Sequence, residues 1–198
     1  SLNVEYPGFS ALTIPLEDWG TESKTLHFFN RPVPSVLLGA PYDEWFSDVL
    51  SKNVYLARSP KEVSRWTSGN HGPVTPIQFP DGYPFLLASQ ESLDALNEKL
   101  ETPVTMDRFR PNIVISGVKP YGEDQWTHLR IEDVTFLSVK ACSRCSIVDV
   151  DPQTGTSSKN VTRALKSYRM KDSKILFGMN LSHTNQGTIY EKSIIELQ

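Results

Sequence analysis

Apolar and polar side chains alternate over many short stretches of this chain, and alternation with a period of two is typical of strands that are buried on one face. The clearest stretches are residues 10–16, 24–29, 126–131, 136–140 and 174–181. Polar residues 17–23 separate the first two stretches, so we expect these two strands to pair as a hairpin.

Apolar residues follow a helical spacing in only a few short stretches. Residues 42–50 place several apolar side chains on one face, and Asp43 can cap that helix. A second helix is expected after Ser89, whose side chain can cap it, and a third over residues 160–169. Many short strands with few short helices predict an α+β fold that is mainly β, with a closed or nearly closed β-barrel into which the helices are inserted.

Charge and composition exclude several classes of protein. The formal net charge is −3 and no Lys/Arg-rich block stands out, which disfavours a general nucleic-acid binder. No run of apolar residues is long enough to span a membrane. The first residues lack the charged and apolar regions of a secretory signal, so we expect an intracellular, reducing compartment.

Both cysteines, Cys142 and Cys145, lie in one stretch between the strand at 136–140 and a turn at 151–155. Arg144 lies between them, and a nearby guanidinium favours the thiolate, the form that attacks electrophiles and binds metals. Three interpretations stay open: buried cysteines that pack as small hydrophobes, a dithiol redox pair, and a metal site. A redox pair belongs at a helix N-terminus and structural zinc needs about four ligands, so packing is favoured, followed by a single reactive or metal-binding thiolate.

A second stretch combines two arginines with a turn that enters a buried strand. Arg108 and Arg110 flank Phe109, Pro111 fixes the turn, and residues 113–115 form the strand. Guanidinium groups in this position can hold a phosphate or a carboxylate, and a surface salt bridge is the simpler alternative.

Six motifs occur in one order along the chain. They are Phe109-Arg110-Pro111-Asn112-Ile113-Val114, Glu123-Asp124-x-Trp126, Ala141-Cys142-Ser143-Arg144-Cys145, Asp151-Pro152-x-Thr154-Gly155, Leu165-Lys166-Ser167-Tyr168-Arg169 and Leu176-Phe177-Gly178. Together they resemble the MOSC domain, named for the C-terminal region of the molybdenum cofactor sulfurase. Within that family the sequence is most similar to the mitochondrial amidoxime-reducing components and their bacterial and fungal relatives, and the likeness is dense from about residue 81 onwards.

The resemblance implies a MOSC-type β-barrel over residues 76–198, preceded by part of the family's N-terminal β-barrel domain over residues 1–75. It also implies a molybdenum–pyranopterin cofactor, the molybdenum cofactor of this family. By matched position, Cys145 would be the thiolate on molybdenum, and Cys142 would be a neighbour without that role.

The same resemblance implies further residues around the cofactor. Ser143 and Arg144 would line it, Arg110 and Asn112 would hold its pterin or its phosphate, and Asn180 would belong to the same wall. A soft thiolate suits the metal and arginines suit a phosphate, so the chemistry of these residue types agrees with the assignment.

The resemblance further implies an oxidoreductase that removes oxygen as water from N-hydroxylated compounds such as amidoximes and hydroxylamines, while the metal cycles between oxidised and reduced states. Electrons would come from a cytochrome b5-type haem protein and its flavin reductase. The alternative is a non-catalytic cofactor-binding or sulfur-carrier module, like the C-terminal domain of the sulfurase, in which a separate pyridoxal-phosphate domain does the chemistry. The family's targeting segment and its N-terminal cofactor contacts would lie outside this sequence, in a mitochondrial or cytoplasmic protein.

Overall fold

The computed structural model describes residues 1–28, 30–62, 65–69 and 71–197. The chain divides into two compact units, the first of Ser1–Trp66 and Pro76–Asp81 and the second of Thr67–Thr75 and Gly82–Gln198. Strands outnumber helices in the described residues, and the helices are short. The prediction of a mainly β fold with short helices is therefore confirmed.

The first unit holds a two-stranded ribbon, a three-stranded sheet and, among its described residues, one α-helix. The elements are β1 (Leu2–Val4), β2 (Leu12–Ile14), β3 (Glu22–Phe28), β4 (Arg31–Leu37), α1 (Tyr42–Leu50) and β5 (Ala57–Arg58). β1 pairs with β2, and the sheet has the order β3–β4–β5, with every pair antiparallel. Leu12, Ile14, Leu38 and Tyr42 form a buried cluster in this unit.

The hairpin expected between the first two predicted strands is wrong. β2 pairs with β1, and β3 pairs with β4 instead. β4 carries Pro32 and Pro34, which lack backbone donors, and β5 pairs with β4 only at Val36 and Leu37. The edge of β4 at the prolines is therefore unpaired on the β5 side and needs no backbone N–H donor there. For this reason a strand can form although its sequence contains two prolines. Phe29, the last residue of the predicted second strand, lies outside the described residues.

The second unit is built on one sheet that curls into a half-barrel. Its elements are β6 (Phe85–Ser89), α2 (Gln90–Asn97), β7 (Ile113–Ile115), β8 (His128–Ile131), β9 (Val134–Ser143), α3 (Asn160–Tyr168), β10 (Met170–Lys171), β11 (Lys174–His183) and β12 (Ile195–Leu197). The strand order is β12–β8–β9–β11–β6–β7, and β10 pairs with β11. Only β6 and β7 are parallel among the described pairs. Ser89 caps α2 as expected, since its hydroxyl accepts a hydrogen bond from the Ser92 amide.

The two faces of this sheet pack against different cores. One face buries Leu87, Phe136 and Leu181. The other face buries Phe109 and Phe177 together with apolar residues of α2 and α3. Residues 177 and 181 would share a face of a regular strand, because side chains alternate with a period of two. The register shifts within β11 break this alternation, so the strand contributes Phe177 to one core and Leu181 to the other. Among the described residues, no helix has the length and apolar character needed to cross a membrane.

Gly178 marks an irregularity in β11, where the register with β9 shifts between Leu176 and Met179. Its φ is +77°, and a Cβ at this position would lie 2.8 Å from the carbonyl oxygen of Leu87. The glycine is therefore required by the close approach of β6 and by its own backbone conformation.

Replacing Gly178 with alanine is expected to lower the free energy of unfolding by about 2–4 kcal/mol, because the positive φ and the steric conflict with Leu87 add. Gly155 offers a matched control, since its φ is +69° and nothing lies within 4 Å of a Cβ there. Urea unfolding of Gly155→Ala should show only the backbone cost of about 1–2 kcal/mol. Equal losses for the two variants would show that the approach of β6 is unimportant.

Candidate functional site

The cysteine stretch leaves β9 with an alternating pattern of exposure. Cys142 and Arg144 are half-buried, whereas Ser143 and Cys145 are exposed. Alternate residues of an extended chain face opposite sides, so the two cysteines lie in different environments. Both are free thiols. The interpretation that they pack as buried hydrophobes is wrong for Cys145.

Cys145 lies directly between β9 and a short 3-10 helix at Ser146–Asp149. Its backbone is extended, with φ −95° and ψ −179°, and its side chain does not cap that helix. Among the described residues no hydrogen bond to its sulfur is present. The thiol is thus accessible and chemically uncommitted, as a metal-binding or reactive thiol needs to be.

The guanidinium of Arg144 is bound by protein groups rather than directed at Cys145. Nη1 donates to the Cys142 sulfur at 3.2 Å, and Nη2 donates to the Phe109 carbonyl oxygen at 2.8 Å. The Arg144 amide donates to the Ile175 carbonyl oxygen at 2.8 Å, which fixes the backbone to β11. Nε is buried and has no partner among the described residues. Arg144 therefore connects the cysteine stretch to the loop that contains Phe109.

That loop is also fixed to the rest of the unit by its neighbours. Phe109 is fully buried and stacks on Phe177 with ring centroids 3.9 Å apart. Arg108 forms an ion pair with Asp151 at 3.0 Å, so the salt-bridge alternative describes this arginine. Hydrogen bonds from the Gln153 and Thr154 amides, aided by the Arg108 guanidinium, lower the pKa of the Asp151 carboxyl below its usual value.

Arg110 and Asn112 follow Phe109 and differ from each other in their contacts. Arg110 is exposed, has φ +54°, and forms no ion pair within the part of the chain that the structure describes. Asn112 accepts a hydrogen bond from the Leu86 amide at 2.9 Å through Oδ1, and its own amide donates to the Leu86 carbonyl at 2.8 Å. Asn112 thereby extends the pairing of β6 with β7, and it lines a cavity of about 950 Å³ that Cys145 does not line.

Ser143 and Asn180 lie on neighbouring strands. Ser143 ends β9 opposite Leu176, and its side chain is exposed. Asn180 lies opposite Lys140, and its Nδ2 donates to the Lys140 carbonyl oxygen at 3.2 Å. Lys140 itself places its ammonium 5.2 Å from the centre of the Tyr83 ring. It is a cation near the site that sequence analysis missed, and the signal was its position two residues before Cys142 on the same strand.

The structure therefore brings the predicted residues together through two connections. Arg144 joins Cys145 to the segment that carries Arg110, and β11 joins Asn180 to the end of β9. Asn112 is joined to β6, which also pairs with β11. Four of the predicted residues are exposed, namely Arg110, Asn112, Ser143 and Cys145, whereas Arg144 and Asn180 are half-buried.

The Glu123-Asp124 motif lies in a structural network. Glu123 is 1% exposed and accepts hydrogen bonds from the hydroxyls of Ser89 and Ser92 at 2.9 and 2.7 Å. Asp124 forms an ion pair with Arg169 at 2.7 Å. These contacts join the N-terminus of α2 to the segment before β8 and the end of α3, so the motif serves the fold.

A bare metal ion has no ready site in the part of the chain that the structure describes, because no group of three or more His, Cys, Asp or Glu side chains could hold one. A metal that arrives within a cofactor brings most of its ligands with it and needs few from the protein. One exposed thiol, next to an arginine that bonds the segment carrying the exposed Arg110, fits such a group. The donor set therefore fits a metal cofactor with an anionic part better than a free ion.

Comparisons with known proteins agree with these motifs. Residues 74–195 match the family model described as the MOSC domain. The chain is 45% identical over 126 residues to mitochondrial amidoxime-reducing component 1 from Homo sapiens, covering 59% of this chain and 37% of that protein. It is 31% identical over 209 residues to mitochondrial amidoxime reducing component 2 from Rattus norvegicus, covering 95% of this chain and 61% of the relative.

A different kind of relative also matches. The chain is 36% identical over 157 residues to the molybdenum cofactor sulfurase from Oryza sativa subsp. japonica, covering 70% of this chain and 19% of that protein. In each of these three comparisons the chain spans less than two thirds of the relative's length.

Proposed function

Because the chain belongs to the MOSC domain family, we propose that it binds a molybdenum–pyranopterin cofactor and with it reduces N-hydroxylated compounds such as amidoximes and hydroxylamines. The observation that carries the proposal is that Cys145 is an exposed, free thiol. The arginine next to it, Arg144, is hydrogen-bonded to the Phe109 carbonyl. The names of the human and rat relatives support the reaction class, since both are amidoxime-reducing components.

Cys145 would be the ligand that the chain gives to molybdenum. A soft thiolate suits this metal, and the sulfur has no competing hydrogen bond among the described residues. When bound, the cofactor supplies the electron transfer at the substrate, and the protein supplies position and electrostatic field. Ser143, exposed on the same stretch, would present a hydroxyl beside the cofactor.

Arg110 would hold the phosphate or the pterin. Its side chain is exposed, and it forms no ion pair with a described residue. Its φ of +54° is costly for a residue with a side chain, and such outliers cluster at functional sites. Asn112 would contribute chiefly by fixing this segment to β6, because its Oδ1 is engaged with the Leu86 amide. Asn180 would line the cofactor from β11. Arg144 would hold the site in place through its contact with the Phe109 carbonyl.

Electrons would reach the site from a cytochrome b5-type haem protein and its flavin reductase, in mitochondria or in the cytoplasm. The exposure of Cys145 supports this part of the proposal, since a site near the surface is accessible to an electron donor.

A second candidate function is a non-catalytic module that carries the cofactor or sulfur, as the C-terminal part of a cofactor sulfurase would. The specific observation in its favour is the match to the Oryza sativa sulfurase, which covers 70% of this chain. An accessible thiol that has no hydrogen-bond partner in the described part of the chain also suits a sulfur carrier.

The two candidates are separated by metal analysis and turnover on one preparation. We expect near-stoichiometric molybdenum and reduction of benzamidoxime to benzamidine with a chemical electron donor. A preparation grown with tungstate in place of molybdate is the matched control and should be inactive. Molybdenum without turnover would favour the carrier function, and a protein without molybdenum would contradict both the reductase and the carrier of the cofactor.

A further inference from the structure

Arg144 is held by two acceptors, the Cys142 sulfur and the Phe109 carbonyl oxygen, and we refer to these three residues as the Arg144 clamp. We propose that Cys142 is a positioning residue: it holds Arg144, which in turn fixes the Phe109 segment and the cofactor-binding arginine beside it. The inference rests on the proposed cofactor function, and it gives a role to a cysteine to which matched position assigns none.

The guanidinium of Arg144 has few polar partners. Arg144 is half-buried, and no carboxylate pairs with it among the described residues. Its attractive contacts are the sulfur at 3.2 Å, the carbonyl oxygen at 2.8 Å and the ring of Phe109, whose centre lies 5.7 Å from Cζ. Removing polar partners from a partly buried charge is costly, so each of the few contacts matters.

The local geometry of the cysteine stretch separates its two thiols. Cys142 and Arg144 are two residues apart in extended chain, which places both side chains on one side. Cys145 lies on the exposed side and is free of this contact. Cys142 therefore contacts the Arg144 guanidinium, whereas Cys145 faces solvent.

The segment that the Arg144 clamp holds has a strained backbone. Arg110 follows Phe109 directly and has φ +54°, while its amide donates to the Asp107 carbonyl at 3.2 Å. A strained backbone persists only where its surroundings hold it in place. The stacking of Phe109 on Phe177 fixes the ring, and Arg144 fixes the carbonyl that precedes Arg110.

The test compares Cys142→Ala with Cys142→Ser in the protein loaded with the molybdenum–pyranopterin cofactor. Loss of a group that orients a cofactor-binding residue typically costs ~10-fold or more in affinity, so Cys142→Ala should release molybdenum ~10-fold faster on dilution. Serine keeps an acceptor at this position, so Cys142→Ser should restore most of the retention. Hydrogen exchange of residues 107–112, measured on cofactor-free protein, should accelerate in the alanine variant and recover in the serine variant.

Ile147→Ala is the matched control, since Ile147 is an exposed side chain just after the same stretch. If Cys142→Ala fails to fold, hydrogen exchange of residues 107–112 in cofactor-free Arg144→Lys tests the clamp instead, because lysine keeps the charge but cannot bridge both acceptors. Retention and exchange like those of the unsubstituted protein would overturn the inference. If the unsubstituted protein never retains molybdenum, the proposed function fails, and unchanged exchange over residues 107–112 would then overturn the clamp separately.

Discussion

Replacing Cys145 with alanine is expected to lower amidoxime reduction by more than ~100-fold, since loss of a direct metal ligand should cost more than loss of a group behind one. The molybdenum content of the purified variant should fall with it. Cys145 is exposed and makes no hydrogen bond with described residues, so the fold should be retained. Turnover, metal content and melting temperature, measured together, check this expectation.

Cys142→Ser is the matched comparison, because it changes the other thiol of the stretch and keeps an acceptor for Arg144. This variant should retain most of the molybdenum and most of the turnover. A protein that stays active as Cys145→Ala but not as Cys142→Ser would assign the metal to the other cysteine.

Replacing Glu123 with alanine is expected to destabilise the fold by about 3–5 kcal/mol, because two buried hydrogen bonds to its carboxylate are lost and each contributes about 1.5–3 kcal/mol. Glu123 is buried and accepts hydrogen bonds from the hydroxyls of Ser89 and Ser92. The two hydroxyls lie 2.6 Å apart, so without Glu123 one can donate to the other and the second is left buried without an acceptor. Denaturant unfolding followed by circular dichroism measures the loss.

Glu98 provides the control, since it is an exposed glutamate at the other end of the same helix. Glu98→Ala should change stability by less than about 0.5 kcal/mol. Glu123→Gln should lie between the two, because it keeps one acceptor oxygen and loses the charge. Similar stability of the two alanine variants would show that the buried network contributes little.

Much of the second unit could be predicted from sequence because local signals agree with the tertiary structure there. The apolar run at 113–115 is a strand, and Ser89 caps the helix that follows β6. A glycine within an alternating stretch such as 174–181 is typical of a bulge or of a ligand pressed against the backbone. The register shift and the 2.8 Å approach to Leu87 show that a neighbouring strand accounts for it.

Pairing partners were harder to predict because they depend on residues that are distant in sequence. The alternating stretch 10–16 contains β2, but its partner is β1 rather than β3. Pro32 and Pro34 make β4 hard to predict from sequence, because a proline is tolerated in a strand only where it faces an unpaired edge. Asp43 suggests a helix cap by its position, yet its carboxylate accepts a hydrogen bond from the Leu56 amide.

The candidate site could likewise be predicted from sequence only in part. Sequence motifs select the cysteines and arginines, and the exposure of Cys145 and Arg110 is consistent with binding roles. Composition could not show that the Arg144 guanidinium bonds Cys142 and Phe109, because that contact depends on how the loop before β7 packs against β9. Nor could it show that Asn112 is engaged with β6.

The most direct test of the account is X-ray absorption at the molybdenum edge, recorded for the cofactor-loaded protein and for Cys145→Ala reconstituted with the same cofactor. The account predicts one sulfur neighbour fewer around molybdenum in the variant, with the same loss absent from Cys142→Ser. An identical sulfur shell with and without the Cys145 thiol would contradict it.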